Sequence, residues 1–286
     1  MVTSLAQDRL VRLLGLVILC CVVPATAMLL LGYRDGPKTL YLWLTLDAWA
    51  DSWIPIVDAI NYVDQHGTGA GLYQATYFNS ANQFIYTPQG LTFLRGVEDL
   101  LHIDIWRADR ANLISWPILP LIIGLCYAIL CRFVDRREDR LRKSLLLLAI
   151  ATISVLFFYP LTRGYRLGQI QNWMTAASAL SLLLFIAGRA FWAGAALGVT
   201  VLIKPHISVV LVWALVRKNW AFAIGFVTPI ALASLASLLM LGWSVHFEYL
   251  DLLSYLSTRG ESFHASHSFE SMLYRMIHDG NNLAWD

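Results

Sequence analysis

WAFAIGFVTPIALASLASLLMLG, residues 220–242, holds no Asp, Glu, Lys or Arg in 23 positions. About 20 apolar residues carry a helix across a bilayer's hydrocarbon. The run is continuous rather than alternating, so it reads as a helix and not as a strand of a barrel. Similar runs recur. Span one covers 11–32, span two 113–131, span three 144–160 and span four 172–187. Two short apolar pieces follow, 190–203 and 206–216, divided by Lys204-Pro205. Of the chain's 286 residues, 58% are hydrophobic and 14% charged, against roughly 25% charged in an average soluble domain. These features predict an all-α polytopic membrane protein. One membrane domain spans 1–286, with a first span, a large loop 33–112 carrying interfacial helices, a helical bundle 113–242 and a tail loop 243–286.

The basic residues predict the orientation. Arg9 and Arg12 precede span one, and Arg132, Arg136, Arg137, Arg140, Arg142 and Lys143 crowd the connection between spans two and three. Both segments read as cytoplasmic, which places 33–112, 161–171, 204–206 and the tail outside. The expected location is the plasma membrane, multi-pass, with the N-terminus inside. The first run is long and lacks a cleavage site at its polar boundary, so it reads as a retained anchor rather than a signal peptide. The net charge of +2 gives no reason to expect nucleic acid. Cys20, Cys21, Cys126 and Cys131 lie in or beside apolar runs and behave as small hydrophobes.

The polar residues of the outer side carry the chemistry. Loop 33–112 holds Asp47, Asp51, Asp58 and Asp64, and in a helix Asp47, Asp51 and Asp58 would share a face. A carboxylate beside a cavity suits a general base. Spacing alone favours the plainer reading of a solvated acidic helix face. Arg163, Tyr165, Arg166, Gln169, Gln171 and Asn172 form a dense polar connection. Its arginines could clamp a phosphate or meet lipid headgroups. Pro205 forbids a continuous helix through 190–216. Non-helical backbone at depth needs a protein or water-filled surround. Lys204 then sits either on the floor of an outward-facing cavity or snorkels to the interface, and spacing does not separate the two. All seven histidines fall outside. His264-x-x-His267 comes nearest to a ligand spacing, and no metal is expected.

Several stretches together resemble the polyprenol-phosphate-mannose-dependent mannosyltransferases of the membrane-embedded GT-C class, glycosyltransferase family 87. Asp51-Ser-Trp followed by Val57-Asp-Ala is similar to the family's first-loop Asp with its aromatic stretch, and Gly71-Leu-Tyr73 to Gly-x-Leu-Tyr. Phe84-Ile-Tyr-Thr-Pro88 resembles Phe-x-Tyr-Pro-Pro, with Thr87 in place of the first Pro. Gly168-Gln-Ile-Gln-Asn172 resembles Gly-Gln-x-Asn with the Asn displaced by one. Leu202-Ile-Lys-Pro-His206, before Arg217-Lys-Asn-Trp220, resembles the Leu-Lys-Pro segment. In the tail, Ser266 and His267 stand where the family has Asn-Gln, ahead of Arg275. The resemblance covers residues 45 to 275. Family members have more spans after the tail loop, so the resemblance reads this chain as a fragment or a reduced member.

The resemblance implies a GT-C-like bundle of about seven transmembrane or re-entrant helices. It implies a hexosyltransferase, in this family a mannosyltransferase, moving a sugar from a polyprenyl-phosphate donor to an extracytoplasmic glycolipid or glycan. Asp51 would be the base, with Asp58 as its alternate. Lys204 with Arg163 or Arg166 would hold the phosphate. Tyr86, Gln169 and Asn172 would line the sugar site, and the motifs add His206 and His267. The leaving group is already a phosphate, so no cofactor is expected; membrane lipids are the remaining partner. A transporter or flippase of lipid-linked sugars, or an inactive assembly partner, would share the cavity and the cations. A flippase would not need the first-loop carboxylate.

Overall fold

A computed structural model describes residues 12, 15–30, 41–45, 49–101, 115–134 and 140–257. These residues are all-helical, with no strand among them. A π-turn, Ile18–Val22, leads into α1 (Val23–Leu30). α2 (Trp53–His66), a second π-turn (Gln74–Phe78) and α3 (Pro88–Leu101) make up the first loop. The bundle follows as α4 (Ile118–Phe133), α5 (Arg140–Phe157), α6 (Tyr159–Leu167), α7 (Gln171–Ile186) and α8 (Ala190–Ile203). A 3-10 turn, Pro205–Ser208, leads into α9 (Val209–Val216), then α10 (Trp220–Leu241) and α11 (Ser244–Ser257).

By length and composition alone, α10 is the one helix among the described residues that would cross a bilayer unaided. The stretch expected to be span three is helical over Arg140–Phe157, then bends by 60° into α6. Phe158 is extended, and Pro160 cannot continue the preceding helix's hydrogen bonds. The connection expected as a polar loop at 161–171 is therefore mostly helix, and Arg163 and Arg166 are presented by α6. α4, α7, α8 and the Pro205–Val216 pair are apolar but shorter. The first loop, expected to carry helices, holds two, Trp53–His66 and Pro88–Leu101. His264, His267 and Asp47 lie outside the described residues.

The bundle has two chemically different ends. α8 and α10 run in parallel, with Gly194 and Gly198 against Phe222 and Phe226, and Gly225 against Phe191. A Cβ on Gly194, Gly198 or Gly225 would come within 2.1, 2.3 or 2.0 Å of a backbone carbonyl, so only glycine permits this spacing. The edge-on ring cluster of Phe185, Trp213 and Phe222 marks where α7 and α9 end and α10 begins. Arg189, Arg217 and Lys218 gather there. The start of α4 packs with Val155, Leu161, Tyr165 and Ala176 at the opposite end. Arg132, at the far end of α4, and Arg140, Arg142 and Lys143, at the start of α5, thus fall toward the basic end. Lys204, the α6–α7 turn and the α10–α11 corner lie at the other end, under the first loop.

Candidate functional site

The first loop is stitched onto the α6–α7 turn just ahead of α2. Trp49 N–H donates to the Arg166 carbonyl at 3.0 Å, and Asp51 N–H to that of Leu167 at 2.9 Å. Gly168 makes this approach possible. Its φ is +67°, the left-handed conformation that closes α6, and a Cβ there would lie 1.6 Å from the Trp49 carbonyl oxygen. The exposed Asp51 carboxylate accepts a hydrogen bond from Gln169 Nε2 at 3.2 Å. Ser52, 5% exposed, accepts one from Ile170 N–H at 3.1 Å.

Tyr86 joins the same junction. It is buried, and its phenol lies near enough to Ser52 and the Asp51 carboxylate to feel both. Burial pushes its pKa up to about 12; Ser52 works against the rise and the Asp51 charge adds to it. Tyr86 therefore stays a neutral phenol at physiological pH. The Tyr73 hydroxyl donates to the Tyr86 carbonyl at 2.6 Å and fixes the strand of loop that carries it.

Thr87, next in the chain, latches two helices. Its hydroxyl donates to the Leu202 carbonyl, one of the orphan acceptors at the end of α8, and accepts from Gly90 N–H at 2.9 Å to cap α3. What reads in sequence as a departure from a proline is a hydroxyl with two jobs. Thr87→Val should lower stability by about 1–2 kcal/mol through the lost cap, whereas Thr87→Ser should keep it. Thermal unfolding of the purified variants checks both.

Two residues past Leu202, Lys204 breaks α8 with extended backbone ahead of Pro205. It is half-buried, and among the described residues no carboxylate pairs with it. Burial lowers the pKa of its ammonium. Beside it lies a cavity of about 370 Å³, walled by Thr87, Pro88, Leu202, Pro205, Ile230 and Leu253. Ser234 and His246 supply polar atoms to this mostly apolar wall. The α10–α11 corner closes it from above. Gly69 N–H bonds the Leu241 carbonyl at 3.1 Å, and Gly71 N–H the Glu248 carboxylate at 2.7 Å.

The structure thus brings Asp51, Tyr86 and Gln169 together, with Arg166 adjacent through its backbone carbonyl, while Lys204 stands two residues past the Leu202 carbonyl that Thr87 holds. Arg163 and Arg166 are half-buried and engaged with neighbours. Asn172 is 3% exposed, and its amide bonds the Leu161 carbonyl at 3.2 Å across Gly164, so it braces α6. His206 is exposed just beyond Pro205. Asp58 lies two turns along α2, accepting from Asn82 Nδ2 at 3.1 Å, while Asp64 pairs with Arg95 at 2.7 Å. Among the described residues no cluster of His, Cys, Asp and Glu is arranged to hold a metal.

The family model of glycosyltransferase family 87 matches residues 84–286. The chain belongs to glycosyltransferase family 87. It is a membrane glycosyltransferase. The match takes in Tyr86, the α6–α7 turn, Lys204 and the cavity; Asp51 and Ser52 precede it and join it through Leu167, Gln169 and Ile170. No curated protein and no solved structure matches the chain. Around this junction, sequence reasoning assigned no structural role to Ser52, Thr87 or Glu248. Each acts on a partner more than 100 positions away, and local patterns carry no signal for that.

Proposed function

We propose that this enzyme moves a hexose, mannose by the family resemblance, from a polyprenyl-phosphate donor to an extracytoplasmic glycolipid or glycan. The observation that carries the reading is the junction of Asp51 with Gln169, Tyr86 and the α6–α7 turn. Asp51 is exposed yet fixed in place, as a base for an incoming hydroxyl must be. The acceptor oxygen attacks C1 of the sugar while Asp51 takes its proton. The C1–O bond to the phosphate breaks, and polyprenyl phosphate leaves with inversion. Lys204 meets the phosphate charge together with Arg163 or Arg166. The apolar cavity beside Pro205 suits the first isoprene units of the carrier.

The chain is multi-pass in this reading, with its short apolar helices crossing or entering the bilayer beside α10. Cations at the opposite end of the bundle favour that end as cytoplasmic, which puts Asp51 outside. The exposed tryptophans Trp220 and Trp243 flank α10, as aromatic belts do at both interfaces.

The test is transfer of radiolabelled mannose from polyprenyl-phosphate-mannose in membranes holding the protein. Release of labelled glycan supports the reading; movement of intact donor across the bilayer without release overturns it. Lys204→Gln should raise the donor KM by about 10- to 100-fold, the loss of one charge-assisted bond of roughly 1.5–3 kcal/mol. An unchanged donor KM would remove Lys204 from the phosphate site.

A further inference from the structure

Hydroxyls in the apolar helices of this chain are spent on their own backbone. Ser154 donates to the Ile150 carbonyl, Ser178 to that of Met174 and Thr228 to that of Ile224, each at 2.8 Å. This bond to the preceding turn is how a hydroxyl on a helix finds a partner without water. Ser234, on α10, makes no such bond. It has no hydrogen-bond partner among the described residues, and it lines the cavity beside Pro205. Gln89, in the first turn of α3, lines the same cavity, and its half-buried amide is equally without a partner among those residues. Thr87 and His246, in the same wall, are taken. Thr87 holds the Leu202 carbonyl and the Gly90 N–H, and the His246 ring lies 3.2 Å from Ser237 Oγ and 3.0 Å from the Gly242 carbonyl.

Two unspent donors in a mostly apolar cavity point to a ligand that is hydrocarbon along most of its length and polar at one end. Plain hydrocarbon would leave both groups unsatisfied. A polyprenyl chain is hydrocarbon up to its phosphate, so the phosphate is the part of the carrier that can meet them. No carboxylate lines the cavity to repel that anion. Lys204 stands in the chain between Leu202 and Pro205, both of which line it. Gln89 also lies three residues past Tyr86, at most roughly 11 Å along an extended backbone, and the Tyr86 phenol feels the Asp51 charge. The cavity and the Asp51 junction therefore adjoin.

We infer that Gln89 and Ser234 are donor-binding residues. The Gln89 amide N–H and the Ser234 O–H donate to oxygens of the carrier phosphate, at the point where the first isoprene unit enters the cavity. The inference rests on the glycosyltransferase reading, and it adds two neutral donors to the ammonium of Lys204.

The probes are tritiated farnesyl phosphate and tritiated farnesol, the same chain with and without the phosphate. Binding to the protein in lipid nanodiscs is read by scintillation proximity, with empty nanodiscs subtracted. The wild type should prefer farnesyl phosphate. Gln89→Leu should weaken farnesyl phosphate about tenfold or more, the worth of a hydrogen bond to a charged group, and leave farnesol unchanged. Gln89→Glu keeps the shape of the side chain and should weaken farnesyl phosphate further, because its carboxylate faces the phosphate. Ser234→Ala should weaken it in the same selective way, and all three should raise the donor KM in the transfer assay. Unchanged farnesyl phosphate affinity in variants of normal melting temperature overturns the inference. So does equal loss of both probes, which would make these residues part of the wall alone, or a wild type with no preference for the phosphate. Failure of the transfer reading looks different: farnesyl phosphate binds through Gln89, yet no mannose leaves the lipid donor.

Discussion

Asp51→Asn should cut mannose transfer by about 10²- to 10⁴-fold, the usual worth of a positioned base. The substitution keeps size and one carbonyl oxygen, so Gln169 retains an acceptor and the backbone bonds to Leu167 and Arg166 stand. Folding should be untouched, and the donor KM should stay near the wild-type value, because Asp51 has no part in holding the phosphate. Asp58→Asn supplies the contrast. That carboxylate is occupied by Asn82, so its loss should leave transfer chemistry intact. Single-turnover transfer from a saturating lipid donor measures the two side by side. Normal turnover by Asp51→Asn would end its assignment as base and pass the role to Asp58.

Gly168→Ala should be nearly as damaging, by another route. The added methyl would sit 1.6 Å from the Trp49 carbonyl oxygen, and that neighbour is backbone. A left-handed φ at alanine costs about 1–2 kcal/mol more. Relief requires the 49–51 segment to lift off α6, which breaks the bonds from Trp49 and Asp51 to the Arg166 and Leu167 carbonyls. Asp51 then loses its fixed distance from the sugar. A displacement near 1 Å can cost roughly 10² in rate. Gly194→Ala and Gly225→Ala are the controls. They push α8 and α10 apart far from the site, so they should lower the melting temperature more than the rate per folded molecule. Transfer rates normalised to folded protein separate the two behaviours. Equal loss in all three would mean that Gly168 matters for folding alone.

Much of the fold was legible because its signals are local. Hydropathy marked the segments that became α4, α7, α8 and α10, and Pro205 marked the break at Lys204. The bend at Phe158 was not legible. The apolar run continues through it, and only the extended backbone at one residue redirects the helix by 60°. The same bend turned a predicted loop into α6 and so decided where Arg163 and Arg166 stand.

The candidate site divides in the same way. The motifs singled out Asp51, Tyr86, Gln169 and Lys204 by residue type and order. Nothing in their spacing could tell Asp51 from Asp58, since seven residues place both on one helical face. The structure gives them different partners: Gln169 and the α6–α7 turn for one, Asn82 for the other. Asn172, grouped with the sugar-lining residues by its motif, spends its amide on Leu161.

By itself, the sequence determined the helical character of the described residues, the break at Lys204-Pro205 and the residue types of the glycosyltransferase motifs. Each follows from the local chemistry of one segment: its hydropathy, a missing N–H, a cluster of charge. The tertiary structure decided which aspartate meets Gln169 and that Thr87 ties α3 to α8. Those outcomes rest on contacts such as the one between Asp51 and Gln169, 118 positions apart. Distant chain segments meet only where packing and backbone hydrogen bonding place them, and no local pattern encodes that geometry.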